Sequence, residues 1–193
     1  MTGPTPKPLL LVVTGRPGAG KTTLAHALAR AIRCPAICRD EIKEGLINTT
    51  TREPATLPDD VGKLAYEVFF DTINLLLRHR VTLIAEAAFQ HKLWAPKLQP
   101  LREIADVRIV LCTVDPQLAR LRRVERFRTD PTRAQFHPDP TIEQNSAAKA
   151  LDDYHPPQLD VPTLTVNTSN EYQPPVDDIV RFACEGPTPA SGR

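Results

Sequence analysis

The sequence predicts an α/β protein in which a parallel sheet of five strands lies between two layers of helices. Short continuous apolar runs, typical of strands buried on both faces, alternate with segments of helical periodicity. A glycine-rich turn separates the first apolar run from the first helical segment. The length of 193 residues suits one domain, which we expect to span 1–186, followed by a disordered tail at 187–193.

The predicted elements follow one another in a regular order. The first strand is Leu9–Thr14, and the apolar residues of the helix Thr22–Arg33 repeat on one face. Between the second and third helices, the polar stretch Asn48–Pro58 is predicted to be a loop. The other predicted strands are 35–38, 81–85, 107–114 and 163–166, and the other predicted helices are 40–47, 59–80, 94–104, 116–127 and 176–184.

Composition argues against several kinds of partner. A formal net charge of +1 gives no reason to expect nucleic acid or an anionic membrane, and the apolar run Leu9–Val13 is far too short to cross a bilayer. The four cysteines form no CxxC pair, so we expect reduced core thiols in a cytoplasmic protein. No histidine lies at ligand spacing from another histidine or a cysteine, so the sequence predicts no zinc site. The oligomeric state stays open.

The glycine-rich turn is the most informative segment. Residues 15–22, GRPGAGKT, fit G-x-x-x-x-G-K-[ST] at every fixed position, which chance produces in such a chain about 1% of the time. Glycines let backbone N–H groups approach phosphate oxygens, and the following helix offers its positive N-terminus. We expect Lys21 to act in catalysis by reaching the β- and γ-phosphates, and Thr22 to ligate Mg²⁺. The predicted ligands of the nucleotide phosphates are Gly15, Gly18, Ala19, Gly20, Lys21, Thr22 and Thr23.

The motif alone does not distinguish a kinase from an ATPase or a GTPase. Over residues 9–185, however, the chain resembles the small AAA-type P-loop kinases, above all the chloramphenicol phosphotransferase-like and zeta-toxin-like groups, with shikimate kinase a more distant relative. The resemblance implies a three-layer P-loop NTPase fold with an arginine-rich lid at about 120–140. It also implies a phosphotransferase that moves the γ-phosphate of ATP or GTP to a hydroxyl of a small molecule.

Acidic residues follow the second and third predicted strands. Asp40 lies at the carboxyl edge of the sheet, where it can take the proton of an attacking hydroxyl, although it could instead cap the next helix. Glu41 is the neighbouring alternative, and Arg39 could hold an acidic group of the substrate. Glu86 opens a predicted substrate segment that ends at Phe89. Related kinases usually have Asp at the position of Glu86, so a metal role, a substrate contact and a buried salt bridge remain open for it.

An arginine-rich helix provides candidate phosphate ligands, with five arginines in the nine residues 120–128. Arg120, Arg123 and Arg126 are spaced by three and can share one helix face. The resemblance implies that Arg120 stacks on the base, whereas Arg123 or Arg126 reaches the transferring phosphate. An exposed, salt-bridged helix is the alternative. By the same resemblance, Asn167 and Thr168 pack against the nucleobase.

Four functions remain open at this point. They are a kinase of an antibiotic or other hydroxylated metabolite acting in self-resistance, a nucleoside or nucleotide kinase, a kinase of nucleic-acid ends, and a non-catalytic nucleotide-binding switch. The near-zero net charge disfavours nucleic-acid ends, and we see no water-positioning residue that a switch would use for hydrolysis. We favour the metabolite kinase because of the family resemblance.

Overall fold

The computed structural model describes residues 6–50, 61–130 and 154–185. Its strands form one parallel sheet in the order β2-β3-β1-β4-β5, which confirms the predicted five-stranded α/β architecture. The strands are β1 Leu9–Gly15, β2 Ala36–Cys38, β3 Leu83–Glu86, β4 Asp106–Thr113 and β5 Thr163–Asn167. The helices are α1 Lys21–Ile32, α2 Arg39–Thr50, α3 Val61–Arg78, α4 His91–Leu98, α5 Pro116–Thr129 and α6 Val176–Glu185.

The central strand β1 divides the core into two halves. Because successive side chains of a strand point to opposite faces, Leu10 and Val12 pack with α3 and α4, whereas Leu11 and Val13 pack with α1 and α6. All four side chains are fully buried. The sheet is therefore the middle of three layers, as the sequence predicts.

Two predicted segments differ in the structure. Helix α2 continues to Thr50, so the start of the predicted loop is helical, while 51–60 lies outside the described residues. The predicted helix 94–104 is instead α4 followed by the 3₁₀ segment Gln99–Glu103. The change from α-helix to 3₁₀ helix falls just before Pro100, which has no N–H to donate to the carbonyl four residues earlier.

The predicted lid and tail lie largely outside the described residues. From Arg120 to Thr129 the lid segment belongs to helix α5, and the structure does not describe 131–153. The tail at 187–193 is likewise not described. Among the residues that are described, no helix is long and apolar enough to cross a membrane.

The cysteine prediction is only partly right. All four cysteines are free thiols, as expected. Cys38 and Cys112 are buried at the ends of their strands, but Cys34 is only partly buried and Cys184 is exposed. These two cysteines are therefore not core thiols, because Cys34 lies in the connection before β2 and Cys184 lies in the last turn of α6.

The register of the sheet brings three strand ends to one place. Val13 of β1 pairs with Glu86, and Glu86 pairs with Cys38, the last residue of β2. The chain then continues from β1 into the glycine-rich turn and from β2 directly into α2 with Asp40 in its first turn. The carboxyl edge therefore collects the predicted phosphate turn and both predicted carboxylates, as open α/β sheets do at their ligand sites.

Candidate active site

The glycine-rich turn forms a cradle between β1 and α1. Gly18 has a φ of +85°, and a Cβ there would lie 2.4 Å from the carbonyl oxygen of Ala119, so only glycine fits between the turn and α5. The N–H of Ala19 donates to the carbonyl of Arg16 at 3.1 Å and closes the turn. Helix α1 begins after Gly20 with no side-chain cap. Its first N–H groups therefore remain available to an anion.

Glu86 contacts both chemically active residues of the motif. Its carboxylate accepts a hydrogen bond from the Thr22 hydroxyl at 2.9 Å, and its other oxygen lies 3.8 Å from Lys21 Nζ. Lys21 also donates to the carbonyl of Arg16 at 3.3 Å. Glu86 is only 4% exposed and Lys21 only 9%. Glu86 is therefore both half of a buried ion pair and the neighbour of the predicted magnesium ligand.

The surroundings of Glu86 favour a cation. Burial raises the pKa of Glu86, the charge of Lys21 and the Thr22 hydrogen bond oppose this, and the nearby Asp40 and Glu41 raise the pKa further. The Thr22 hydroxyl and the Glu86 carboxylate are hard oxygen donors of the kind that Mg²⁺ prefers. These residues thus fit a hydrated magnesium ion held jointly with nucleotide phosphates.

Asp40 occupies the first turn of α2 rather than the cap position, because the helix begins at Arg39. Its side chain is 58% exposed, and Arg39 donates to it at 3.1 Å. Arg39 also donates to the carbonyl of Gly62 in α3. Among the described residues, Arg39 Nε is buried without a partner. Asp40 is therefore held at the edge of the site while remaining accessible to an acceptor.

The predicted substrate contact of Phe89 needs correction. Its ring is fully buried and packs against Trp94, with ring centroids 4.5 Å apart, and against Phe69. Only its backbone faces the site, since its N–H donates to the Thr14 hydroxyl at 3.1 Å. Phe89 thus supports the strand ends from the core, and its buried side chain is turned away from the surface where a substrate would bind.

A groove of about 570 Å³ lies beside the cradle, a size that suits a nucleotide base and sugar. Arg122 crosses its wall and donates to the carbonyls of Thr168 and Ser169, at 2.7 and 2.8 Å. The lining residues come from the cradle, α5 and the loop after β5: Gly20, Thr23, Leu121, Arg122, Glu125, Arg126, Thr129, Thr168, Asn170 and Tyr172.

The groove changes the assignment of the arginines. Arg122 and Arg126 line it, but Arg120 and Arg123 are not among its lining residues. Successive residues of an α-helix are rotated by about 100° around its axis, so residues three positions apart differ in direction by about 60°, and a series of them moves around the helix. Residues four positions apart differ by only about 40° and share one face. The Arg122–Arg126 pair, rather than the series beginning at Arg120, therefore faces the groove.

The loop after β5 is fixed to the cradle. Thr168 is 3% exposed, and its hydroxyl donates to the carbonyl of Ala19 at 2.9 Å. Asn167 accepts a hydrogen bond from the N–H of Ser169, and its backbone pairs with Gln173. The polar side chains of Asn167 and Thr168 therefore shape this wall of the groove by bonding to backbone groups.

Sequence reasoning missed two tyrosines. The hydroxyl of Tyr154 lies 2.7 Å from the Thr14 hydroxyl, directly before the cradle. Burial raises the pKa of Tyr154 to about 12, against the opposing hydrogen bond to Thr14, so the phenol keeps its proton at neutral pH. Tyr172 lines the groove. Neither tyrosine lies in a motif, and Tyr154 reaches its partner across 140 positions of the chain.

The sheet order, the cradle and the buried Lys21–Glu86 pair define a P-loop protein of the kinase-type fold. A family model described as an AAA domain, AAA_33, matches residues 10–148, and the chain belongs to this family. No curated protein sequence matches the chain.

Many solved structures share the fold, among them a proposed kinase, a gluconokinase and an APS kinase. A proposed kinase from Chloroflexus aurantiacus is 24% identical, with a TM-score of 0.75 over 94% of this chain and 97% of that one. A gluconokinase from Sinorhizobium meliloti is 21% identical, with a TM-score of 0.52 over 94% and 93%. The APS kinase of Mycobacterium tuberculosis, in complex with AMPPNP and APS, is 15% identical, with a TM-score of 0.54 over 94% and 98%. These similarities do not single out the chloramphenicol phosphotransferase-like group.

Proposed function

We propose that the protein is a kinase that moves the γ-phosphate of a nucleoside triphosphate, ATP or GTP, to a hydroxyl of a small molecule. The observation that carries the proposal is the buried contact of Glu86 with Lys21 and Thr22 beneath an uncapped helix N-terminus. It brings together a cation, a hydroxyl that can ligate a metal, and available N–H groups at the start of α1. Asp40 at the adjacent strand end supplies the carboxylate that a transfer to a hydroxyl requires.

Each side chain has a place in the transfer. Lys21 and the N–H groups of the cradle bind the β- and γ-phosphates, and Mg²⁺, held by Thr22 with Glu86 beside it, supplies charge neutralisation when bound. Asp40 orients the acceptor hydroxyl and takes its proton. As the bond from the acceptor oxygen to the γ-phosphorus forms, the bond from that phosphorus to the β–γ bridging oxygen breaks, and the nucleoside diphosphate leaves. Arg126, on the groove face of α5, is the preferred ligand of the transferred phosphate, with Arg123 as the alternative.

The acceptor is proposed to be an antibiotic or another hydroxylated metabolite. The gluconokinase and APS kinase that share the fold are named for small acceptors, which favours a small acceptor here as well. Nucleosides, nucleotides and nucleic-acid ends are the competing acceptors, and a switch without transfer is the competing non-enzymatic function.

A phosphate-transfer screen tests the proposal. The purified chain is incubated with γ-labelled ATP or GTP, Mg²⁺ and a panel of hydroxylated antibiotics, sugar acids, nucleosides and an oligonucleotide with a 5′-hydroxyl. The Lys21→Ala variant serves as the blank. We expect labelled product with one small-molecule class. Label on the oligonucleotide would favour nucleic-acid ends, and tight nucleotide binding without transfer to any acceptor would favour the switch.

The groove predicts a contrast between two neighbouring arginines. Arg122→Ala should weaken nucleotide binding by about tenfold or more, because it removes a planar cation beside the base and two hydrogen bonds that fix the loop after β5. The matched variant Arg120→Ala should change affinity by less than about twofold, since Arg120 is exposed away from the groove. Calorimetric titration with a non-hydrolysable nucleotide and Mg²⁺ measures both. The reverse order would restore Arg120 as the stacking residue.

A further inference from the structure

A second cluster of chemically active side chains lies beside the first turn of α2. It consists of His26 from α1, Cys38 from the end of β2 and Glu41 from α2. His26 Nε2 lies 2.7 Å from Glu41 Oε1 and 3.8 Å from Cys38 Sγ. The three possible ligand atoms all lie within 4.8 Å of one another. The three residues come from three different elements and are brought together only by the fold.

The spacing of these atoms matches a tetrahedral metal site. Zinc binds imidazole nitrogen and carboxylate oxygen at about 2.1 Å and thiolate sulfur at about 2.3 Å, which places two ligand atoms of one ion about 3.4 Å apart. The two distances from His26 Nε2, 2.7 Å and 3.8 Å, differ from this by less than one ångström, and the Cys38 and Glu41 ligand atoms lie within 4.8 Å of each other, a spacing that side-chain rotation can accommodate. His26 and Glu41 are partly exposed, with side-chain exposures of 42% and 50%, so an ion can enter from solvent. Cys38 is buried behind them.

We propose that His26, Cys38 and Glu41 form a three-ligand site for a divalent cation of the zinc class, with water as the fourth ligand. Sulfur and imidazole together select such a metal over Mg²⁺, so the site is distinct from the magnesium position beside Thr22. Binding converts the Cys38 thiol to a thiolate and releases its proton to the buffer. The sequence alone predicts no zinc site, because His26 and Cys38 are twelve positions apart and lie on separate elements.

A cation bound by His26, Cys38 and Glu41 would hold the first turn of α2 in place. Cys38 and Glu41 bracket Arg39 and Asp40, so a cation bound there ties the first turn of α2 to β2 and α1. That turn carries the proposed acceptor carboxylate. The metal site itself does not depend on the proposed kinase function, since its binding is measured without nucleotide or acceptor.

Zinc binding is tested by titrating the full chain with Zn²⁺ in a non-chelating reductant. Cys34 and Cys184 are first replaced by serine, because they lie close enough for Cys184 to raise the pKa of Cys34 and could bind a metal themselves. We expect one ion per chain. His26→Gln and Cys38→Ser should each weaken binding by about 10²-fold or more, and the control His79→Gln, at an exposed position outside the cluster, should leave it unchanged.

Cobalt supplies a second readout that does not depend on affinity. Co²⁺ should produce a sulfur-to-metal charge-transfer band that Cys38→Ser abolishes and His79→Gln retains. Circular dichroism without metal establishes that each variant is folded, and if Cys38→Ser does not fold, His26→Gln at its partly exposed position decides the question. Zinc affinity that survives both ligand substitutions, or a stoichiometry near zero, would leave His26–Glu41 as a simple ion pair and overturn the proposal.

Discussion

Replacing Lys21 by alanine should abolish phosphate transfer, with a fall in kcat/KM of about 10³-fold or more. Lys21 lies at the start of α1 beside the cradle, where its ammonium contacts the Arg16 carbonyl and Glu86. Its loss removes the positive charge that would neutralise the β- and γ-phosphates as the bond between them breaks. A single-turnover assay with the acceptor found by the screen measures the effect. Turnover near the wild-type rate would contradict the role assigned to the cradle.

Lys21→Ala should also lower the thermal stability of the protein, and a second substitution distinguishes this loss of stability from the loss of phosphate transfer. Without Lys21, Glu86 is a buried carboxylate that has lost its neighbouring positive charge, although it keeps the Thr22 hydrogen bond. The double variant Lys21→Ala/Glu86→Gln removes the buried negative charge as well. It should recover much of the lost thermal stability and still transfer no phosphate. Recovery of transfer along with stability would mean that Lys21 acts through folding alone.

The pH dependence of the single variant has a definite sign. Burial already raises the pKa of Glu86, and losing Lys21 removes an opposing influence, so the folded-state pKa rises further above the unfolded value. Between those two values the folded chain holds more protons than the unfolded chain, so stability falls as pH rises. The melting temperature of Lys21→Ala should therefore decline, relative to wild type, at pH values above the raised pKa that Glu86 has in the wild-type protein. A decline on acidification instead would contradict this account of Glu86.

Local patterns explain which parts of the molecule could be predicted from the sequence. The cradle is a contiguous motif whose glycines are required by the turn itself, as the close approach of Gly18 to Ala119 shows. The alternation of strands and helices follows from apolar runs whose side chains are buried on both faces of the sheet. The placement of Asp40 and Glu86 at one edge follows from parallel strands alone, because their carboxyl ends must lie together.

The predictions that needed correction depended on orientation or on distant contacts. Phe89 sits at the predicted strand end, but its ring turns into the aromatic cluster with Trp94, which a position in sequence cannot reveal. The spacing of three predicts Arg120, Arg123 and Arg126 as one set, whereas Arg122 and Arg126, four positions apart, line the groove. Tyr154 meets Thr14, and His26 meets Cys38, only through tertiary folding, so no local sequence pattern predicts these contacts.

Asp40→Asn should reduce kcat by about 10²-fold or more while leaving nucleotide affinity nearly unchanged. The substitution keeps the shape of the side chain and an oxygen that can accept the Arg39 hydrogen bond, but it removes the ability to take a proton. Because Asp40 is 58% exposed, replacing it should not disturb the core. The control is Glu44→Gln, which removes a carboxylate one helical turn further along α2 and should leave kcat within about twofold of wild type.

Two readouts distinguish proton transfer from a structural role for Asp40. Asp40 also carries a negative charge in the first turn of α2, where it stabilises the helix through its dipole by about 0.3–1 kcal/mol at an exposed position. If that were its only role, Asp40→Asn would melt at a lower temperature and turn over normally, and the assignment would fail. If Asp40 takes the proton, the defect should shrink with an acceptor analogue whose hydroxyl is more acidic, since such a hydroxyl needs less help in losing its proton. An equal defect with both acceptors would place Asp40 in positioning the hydroxyl rather than in deprotonating it.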